Sequence, residues 1–470
     1  PAPTNKGNAW KITVDGVHAT GNLWFWINQI QGRDRGELRA RVNYQTRGGP
    51  FSLDNGEMDI SIHSLSINDE PMISGEGSLA GTLAFTPFVP AENKGIRSLA
   101  FLKTDARLDA GMENLDFLNF YLRNLQGMTL GGSGRVSGRM VYNLGTVHAP
   151  TRLAVKADPL HLDLHSYKAR GAGDIAIHVE PDQPEQLGFD IRFAAIDIVY
   201  QGDDASHLTG ENFLLAAAGS SVLLPWDTLR SGINHVKVAI PLVRAPDLKV
   251  YQRYIPTKLG LVIEGGEGEL EGQARLTRTE FSGSLDLRST EADIRWTDYR
   301  FMTDLELGVN ITAPEFGSGK LDVSGSRVTL NGARLKRGKQ GDARPWNASL
   351  SIDEGHLVLP LYAGKAEGKQ VRQLSKTLQE DSITALLDRA DAHFTVTGNL
   401  SELGWINLLF SNDYNMNIFG NGQLTANLNV DNGLLAKDSN IHIQARDSGA
   451  SVLEYEVRGD SLIELQATEG

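Results

Sequence analysis

The sequence predicts a mainly β protein: an elongated, curved antiparallel β-sheet that forms a hydrophobic groove and carries a few short helices. Three observations support this fold class. Apolar and polar residues alternate with a period of two along most of the chain. A glycine-punctuated strand recurs four times, and a short helical stretch precedes three of its copies. Because 470 residues are too many for one ordinary core, we expect an elongated array or several domains.

The recurring strand has the template Gly-x-Gly-x-apolar-x-small-x-apolar. Its copies begin at Gly75, Gly132, Gly266 and Gly420. Successive side chains of a strand point to opposite faces, so positions spaced by two are expected to share one face. Small residues on that face let the strand enter a crowded apolar interior. The spacing between copies is uneven, which favours an array built by duplication and insertion over a propeller with fixed blades.

Short amphipathic helices are predicted at 114–122, 247–256 and 401–410, each with a polar residue near its start. The predicted repeating unit is therefore a short helix, a glycine strand and a run of further strands. Another helical pattern covers 371–390, where a central Asp-Ser pair predicts one kinked helix or two short ones. Three roles stay open for that segment: to cap or gate the groove, to dock on a membrane or a partner, or to cover an end of the sheet. Covering an end is the commonest role of such a helix.

The sequence as a whole predicts roughly 30 to 40 strands of ordinary length. The pairs Asp15-Gly16 and Asn55-Gly56 have the composition of hairpin turns. We predict one continuous array over 1–470, with sub-units at 1–110, 111–245, 246–363 and 393–470 and a helical insertion at 364–392. The chain begins at proline and shows no signal peptide, so we expect it to be a piece of a longer protein whose N-terminal anchor is missing.

Composition excludes several functions. The formal net charge is −13 and basic residues form no stripe, so nucleic acid is not an expected partner. The chain has no cysteine, which excludes disulfides, thiol nucleophiles and cysteine-ligated metals. No segment approaches the ~18 consecutive apolar residues of a membrane-spanning helix.

The apolar face of such a sheet must be covered by another layer, by closure of the sheet or by a ligand. The predicted helices are too few and too short to cover so many strands. We therefore expect the sheet to curl into a trough lined by aliphatic side chains. The residues that we predict to line it are Val136, Leu162, Leu270, Leu285, Leu287, Ile294, Leu307, Val309 and Leu424.

The combination of a short helix, a Gly-x-Gly-x-Leu-x-Gly strand and long alternating runs resembles the AsmA-like superfamily of the Gram-negative envelope. The run 281–287, Phe-Ser-Gly-Ser-Leu-Asp-Leu, is representative, and the resemblance covers about residues 55–470. It implies a long β-groove that carries phospholipid acyl chains through the periplasm between the inner and outer membranes. It also implies an N-terminal anchor in the inner membrane, outer-membrane proteins as further partners, and no cofactor.

Catalytic and metal motifs are weak. His161, Asp163 and His165 share one face of a predicted strand and would suit zinc, but the wet face of an ordinary strand explains them better. The glycine strands do not fit a nucleotide loop, and no nucleophile elbow occurs. The carboxylates of Glu267, Glu269 and Glu271 are typical of a solvated surface. We therefore predict that the chain is not an enzyme.

The tryptophans are a further set of candidate functional residues. Such side chains either stack on sugars, line a lipid groove or pack in the core, and core packing is the commonest role. The candidates are Trp24, Trp26, Trp226, Trp296 and Trp405. Two other functions stay open at this point. One is an extracellular β-solenoid adhesin or structural spacer with a dry interior, and the other is a polysaccharide-processing β-helix enzyme.

Overall fold

The computed structural model confirms the mainly β fold class. Nearly all of the described chain lies in antiparallel strands, and the helices are few and short. The described residues are 9–27, 30–67, 70–119, 128–164, 166–180, 182–222, 233–255, 258, 260–315, 318–337, 340–341, 345–360, 383–408, 416–452 and 454–467.

The described residues contain 23 strands, all assigned to one sheet. The first eleven are β1 Lys11–Ile27, β2 Ile30–Gln45, β3 Phe51–Ile67, β4 Glu70–Phe88, β5 Leu102–Met112, β6 Met128–Asn143, β7 Thr146–Leu164, β8 Tyr167–Glu180, β9 Gln183–Tyr200, β10 Ser206–Ser220 and β11 Ile233–Ala245. The other twelve are β12 Leu261–Thr277, β13 Phe281–Trp296, β14 Tyr299–Ala313, β15 Lys320–Asp322, β16 Arg327–Arg337, β17 Gln340–Gly341, β18 Trp346–Val358, β19 Asp391–Leu400, β20 Met416–Asp431, β21 Leu434–Leu435, β22 Asn440–Val452 and β23 Tyr455–Gln466.

Within the described residues, five short helices interrupt the strands. They are Gly95–Phe101, Asp116–Leu118, Leu248–Tyr254, Ile383–Leu387 and Gly404–Leu408. Three of them coincide with the helices predicted at 114–122, 247–256 and 401–410, which confirms those predictions where the chain is described. Of the helix predicted over 371–390, the part before Ile383 lies outside the described residues.

The chain divides into two compact units, 1–196 with 214–236, and 197–213 with 237–470. In the first unit, each of β1 to β7 pairs antiparallel with the strand that follows it. In the second unit, the long strands pair in chain order from β12 to β23, and β15, β17 and β21 are short additions. Both units are therefore meanders, in which pairing is local along the chain.

Two details of the strand prediction are wrong. In the described residues, the strands are longer and fewer than expected, because alternation that reads as several short strands, as over 11–27, forms the single strand β1. Asp15-Gly16 and Asn55-Gly56 are not hairpin turns: each lies inside a long strand at a register shift. Gly16 and Asn55 have φ values of +71° and +52°. A bulge requires the same left-handed backbone as a tight turn, so the sequence signal is shared.

The four glycine strands lie in β4, β6, β12 and β20, as predicted. In the last three, the first glycine has φ near +120° and sits at a register shift: Gly132 at +118°, Gly266 at +120° and Gly420 at +124°. Only the later template positions follow the strict two-residue period. A methyl group on Gly266 would lie 3.2 Å from Cδ1 of Leu248, so this glycine also makes room for the preceding helix.

Each of the three short helices is fastened to its glycine strand by one side-chain amide. Asn119 Nδ2 donates to the Leu130 carbonyl (2.7 Å), and Leu130 N–H donates back to Asn119 Oδ1 (2.6 Å). Asn407 makes the same pair of bonds with Ile418, at 2.8 and 2.6 Å. Gln252 Nε2 donates to the Leu261 carbonyl (3.0 Å) and its Oε1 accepts from Ile263 N–H (2.7 Å). We call this arrangement the amide clasp.

Candidate apolar binding face

The second unit presents a continuous row of apolar residues across its sheet. Leu270, Leu287, Leu307, Val328 and Leu350 are register partners on successive strands. The row continues through Gly398, Leu424, Ile443 and Ile463. It crosses nine strands and, at a strand spacing of ~4.8 Å, extends for roughly 38 Å along the sheet. Alternation along each strand and in-register pairing between strands together produce this row.

Six of the nine predicted lining residues belong to this row or to its neighbour. Leu270, Leu287, Leu307 and Leu424 are in the row itself, and Leu285 pairs with Val309 beside it. Leu270 is buried, and the other five are partly exposed. The strand register therefore brings these six predicted residues together on one face of the sheet.

The other three predicted residues have different surroundings. Ile294 lies toward one end of the same face, in register with Ile263 and Phe301. Val136 and Leu162 belong to the first unit and are both only 3% exposed. Val136 continues a row from Ala110 to Val155. The first unit thus has apolar rows of its own, but these two side chains are packed against protein.

One part of the apolar face is covered by the clasped helices. Leu248 is 4% exposed and packs on Ala245 and Ala292, which are fully buried. Leu403, fully buried, and Ile406 pack on a cluster of small and large apolar residues: Ala333, Trp346, Ala348, Leu400, Ile443 and Ala445. We call this region the covered zone. Small side chains beneath the helices allow the helix backbone to approach the sheet closely.

The rest of the face has larger aliphatic side chains that keep part of their surface exposed. We call this region the open zone, and define it by these residues, all partly exposed: Leu276, Leu285, Leu307, Val309, Ile311, Val328, Leu350, Val396 and Leu428. A contiguous set of partly exposed aliphatic side chains is typical of a site for an apolar ligand or partner. The nine residues contain no polar atoms in their side chains, so binding here would depend on shape and burial.

The outer face behind these rows is polar and, on β12 to β14, strongly charged. Arg295 Nε lies 2.7 Å from Glu264 Oε1, and Arg327 Nη2 lies 2.5 Å from Asp286 Oδ1. Arg300 donates to Asp293, and this hydrogen bond lowers the pKa of the Asp293 carboxyl below its ordinary value despite partial burial. These pairs fit the solvated surface predicted for the outward carboxylates.

The described residues of the candidate zinc motif have the exposure pattern of an ordinary strand, as the preferred interpretation expects. His161 and Asp163 are exposed on β7, while Leu162 between them is buried, and His165 lies outside the described residues. Among described residues, no group of three or more histidine, cysteine, aspartate or glutamate side chains could hold a metal ion. In the same part of the chain, no helix is long and apolar enough to span a membrane.

Core packing explains the best-described tryptophan of the candidate set. Trp405 stacks on Trp346 with ring centroids 5.6 Å apart and packs against the covered-zone cluster. Trp296 is 45% exposed at the end of β13. Trp24 and Trp26 lie on β1, and Trp226 lies outside the described residues.

Sequence reasoning missed the amide clasps, although the signal was present. Asn119, Gln252 and Asn407 each follow a buried leucine by four residues. Each also precedes a backbone partner on the glycine strand by 11 residues. An amide 13 or 14 residues before a repeated glycine is therefore a sequence signal for a side chain that bonds to the main chain. Comparison with protein-family models and with curated proteins finds no match for this chain.

Proposed function

We propose that this chain is a non-enzymatic lipid conduit that holds phospholipid acyl chains against the open zone of its sheet. The observation that carries the proposal is the nine-strand apolar row, whose central side chains Leu287, Leu307, Val328 and Leu350 keep part of their surface exposed. The open zone as a whole crosses seven strands, from β12 to β20, and a surface of that length suits an extended hydrocarbon chain better than a compact ligand. The open zone offers no ionisable group for catalysis.

The energetics of transfer support the same function. Moving an acyl chain out of a bilayer into water costs about 0.8 kcal/mol for each CH₂ group. A continuous aliphatic surface lowers that cost at every position, so no single step along the sheet exposes the chain to water. Head groups, which are well hydrated, stay at the solvent side. Because such a conduit only lowers a barrier, it needs neither a cofactor nor a catalytic residue.

The resemblance to AsmA-like proteins supports a location for this activity. In that setting the protein works in the periplasm of a Gram-negative bacterium and carries phospholipid between the inner and outer membranes. Its partners there are phospholipid acyl chains, the inner membrane through an N-terminal anchor, and outer-membrane proteins. The formal net charge of −13 favours a function in which no basic surface binds the phospholipid head groups.

Lipid occupancy tests the proposal directly. The purified chain is incubated with vesicles of phosphatidylethanolamine and phosphatidylglycerol, re-isolated and analysed by native mass spectrometry with lipid extraction. We expect bound phospholipid on the wild-type chain and its loss in Leu287→Asp and Val309→Asp. Val309 belongs to the open zone, and Leu287 adjoins it as the register partner of Leu307, so either carboxylate would lie against the acyl chain. Both side chains are partly exposed, so the fold should survive, as circular dichroism would verify.

The matched control is Ser282→Asp, which adds the same charge on the exposed outer side of β13. We expect this variant to keep wild-type lipid occupancy and wild-type transfer of a fluorescent phospholipid between vesicles. A lipid-free wild-type chain, or a folded Leu287→Asp variant with undiminished lipid, would contradict the conduit. A lipid-free chain with a fully packed interior would favour the structural spacer instead.

A further inference from the structure

The outer face of the second unit contains a cavity of a different chemical character from the rest of that face. Its volume is 410 Å³, within the ~300–1,000 Å³ of typical small-molecule sites. Six side-chain amides line it, from β16, β18, β19, β20 and β22 or residues adjoining them: Asn331, Asn347, Asn399, Asn421, Gln423 and Gln444. We call this set the amide patch. Five strands at ~4.8 Å spacing give the patch a width of roughly 19 Å.

Register places these amides side by side. Asn399 pairs with Gln423, and Gln423 pairs with Gln444, so three amides stand opposite one another on adjacent strands. Ser349 extends the same row on β18. Directly opposite side chains have Cβ atoms about 4.5–5.5 Å apart, so neighbouring amides can contact one ligand together.

Most of the hydrogen-bonding capacity of the patch is unused. Asn347 Oδ1 accepts from the Gly332 N–H at 2.8 Å. Within the described part of the chain, no hydrogen bond to protein involves the side-chain amides of the other five residues of the patch. An amide offers two donors and one acceptor oxygen with two lone pairs. The patch therefore presents many donors and acceptors within one small surface.

The lining of the cavity carries little charge. No acidic residue is among the described residues that line it, and Arg446 is the one ionisable group among them. The outer face of β12 to β14, in contrast, is covered with paired arginines and carboxylates. A polar surface that is nearly free of charge is unusual in a chain of net charge −13, and a merely solvated face does not require it.

We propose that the amide patch binds an uncharged oligosaccharide, with its chain running across the strands. A sugar hydroxyl both donates and accepts hydrogen bonds, which matches the two sides of an amide group. The amides recur on adjacent strands about 4.8 Å apart, so a glycan that runs across the strands would meet amides along its length. This proposal concerns the opposite face from the open zone and does not depend on lipid binding.

Calorimetric titration of the full chain with cellotetraose and chitotetraose tests the proposal, with tetragalacturonate as an anionic comparison. We expect at least one neutral tetrasaccharide to bind. The double variant Asn399→Ala with Gln423→Ala should weaken that binding at least tenfold, because it removes two adjacent amides from the centre of the row. The control Gln273→Ala, an exposed amide on the outer side of β12, should bind like the wild type.

The results of this experiment distinguish a failure of sugar binding from a failure of folding or of lipid binding. Both altered residues are exposed, so the double variant should keep its circular dichroism spectrum and its lipid occupancy, which shows that it is folded. Failure of both neutral sugars to bind would overturn the proposal. So would unchanged affinity of the double variant, or a preference for tetragalacturonate. Loss of lipid binding with intact sugar binding would contradict only the conduit.

Discussion

The covered zone and the open zone lie on the same apolar face but differ in how far protein shields that face from solvent. In the covered zone, small residues such as Ala292 and Ala333 are completely buried, and a leucine from a short helix packs over them. In the open zone, larger residues such as Leu307 and Val309 line the strands and remain partly exposed. The smallest side chains of this face therefore lie where the helices cover it, and its partly exposed positions carry larger aliphatic side chains.

This difference indicates what the clasped helices do. They remove part of the face from solvent with few residues, and they need small residues and a glycine bulge beneath them to come close enough. Where the helix stops, the sheet keeps its aliphatic side chains but gains no cover. The apolar surface of the open zone is therefore available to a ligand, which is the basis of the proposed conduit.

The largest effect is expected from Leu403→Ala in the covered zone. Leu403 is fully buried, so the substitution leaves a cavity and should lower the free energy of unfolding by about 2–5 kcal/mol. The matched variant is Leu307→Ala in the open zone, which should cost about 1–2 kcal/mol because part of that side chain already contacts water. Urea unfolding followed by circular dichroism measures both. Equal losses would mean that both zones are packed alike, and the comparison would fail.

The next effect comes from the clasp itself. Asn407→Ala removes both hydrogen bonds to the backbone of Ile418, which should destabilise the covered zone by about 1–3 kcal/mol. Hydrogen exchange at the Ile418 amide should accelerate accordingly. Asn427→Ala, an exposed amide on the same strand, should change stability by less than about 0.5 kcal/mol. An unchanged exchange rate at Ile418 in Asn407→Ala would show that the clasp does not hold the helix.

Much of the fold follows from sequence periodicity. Alternation identified the strands, and the glycine template with its preceding helices located three repeats. Both are local signals, and a meander pairs strands that are close in sequence. The bulges escaped prediction because Asp15-Gly16 and Asn55-Gly56 supply a left-handed backbone that serves a turn and a bulge equally well.

The apolar row and the amide patch were harder to predict from the sequence than the strands. A one-residue change of register at any hairpin would move every later side chain to the other face, so the row from Leu270 to Ile463 depends on all the intervening turns and bulges. The amide patch depends on them equally, because Asn331 and Gln444 are far apart in the chain. Composition along one strand gave no hint that amides on five strands would meet.

The smallest effect concerns the electrostatic support of the helix Leu248–Tyr254. His207, buried at 1% exposure, has its Nε2 2.9 Å from Asp203 Oδ2, and Arg253 donates to the same carboxylate. Tyr251 Oη donates to the His207 carbonyl at 2.8 Å. The hydrogen bond with His207 and the charge of Arg253 lower the pKa of Asp203 below its ordinary value of 3.8. The carboxylate therefore ties this helix of the covered zone to β10 and its preceding turn.

Because the folded-state pKa of Asp203 is depressed, its contribution to stability is fully present above the ordinary carboxyl pKa and is lost as the pH falls through the folded value. We expect the Ile255 amide, which donates to the Gln252 carbonyl at the end of the helix, to lose protection below about pH 4. In Asp203→Asn, this acid-dependent part should vanish, because no carboxylate remains to be protonated. Hydrogen exchange corrected for intrinsic rates measures it. The same pH profile in both chains would mean that packing of Leu248 and the Gln252 clasp hold the helix, and that charge adds nothing to the covered zone.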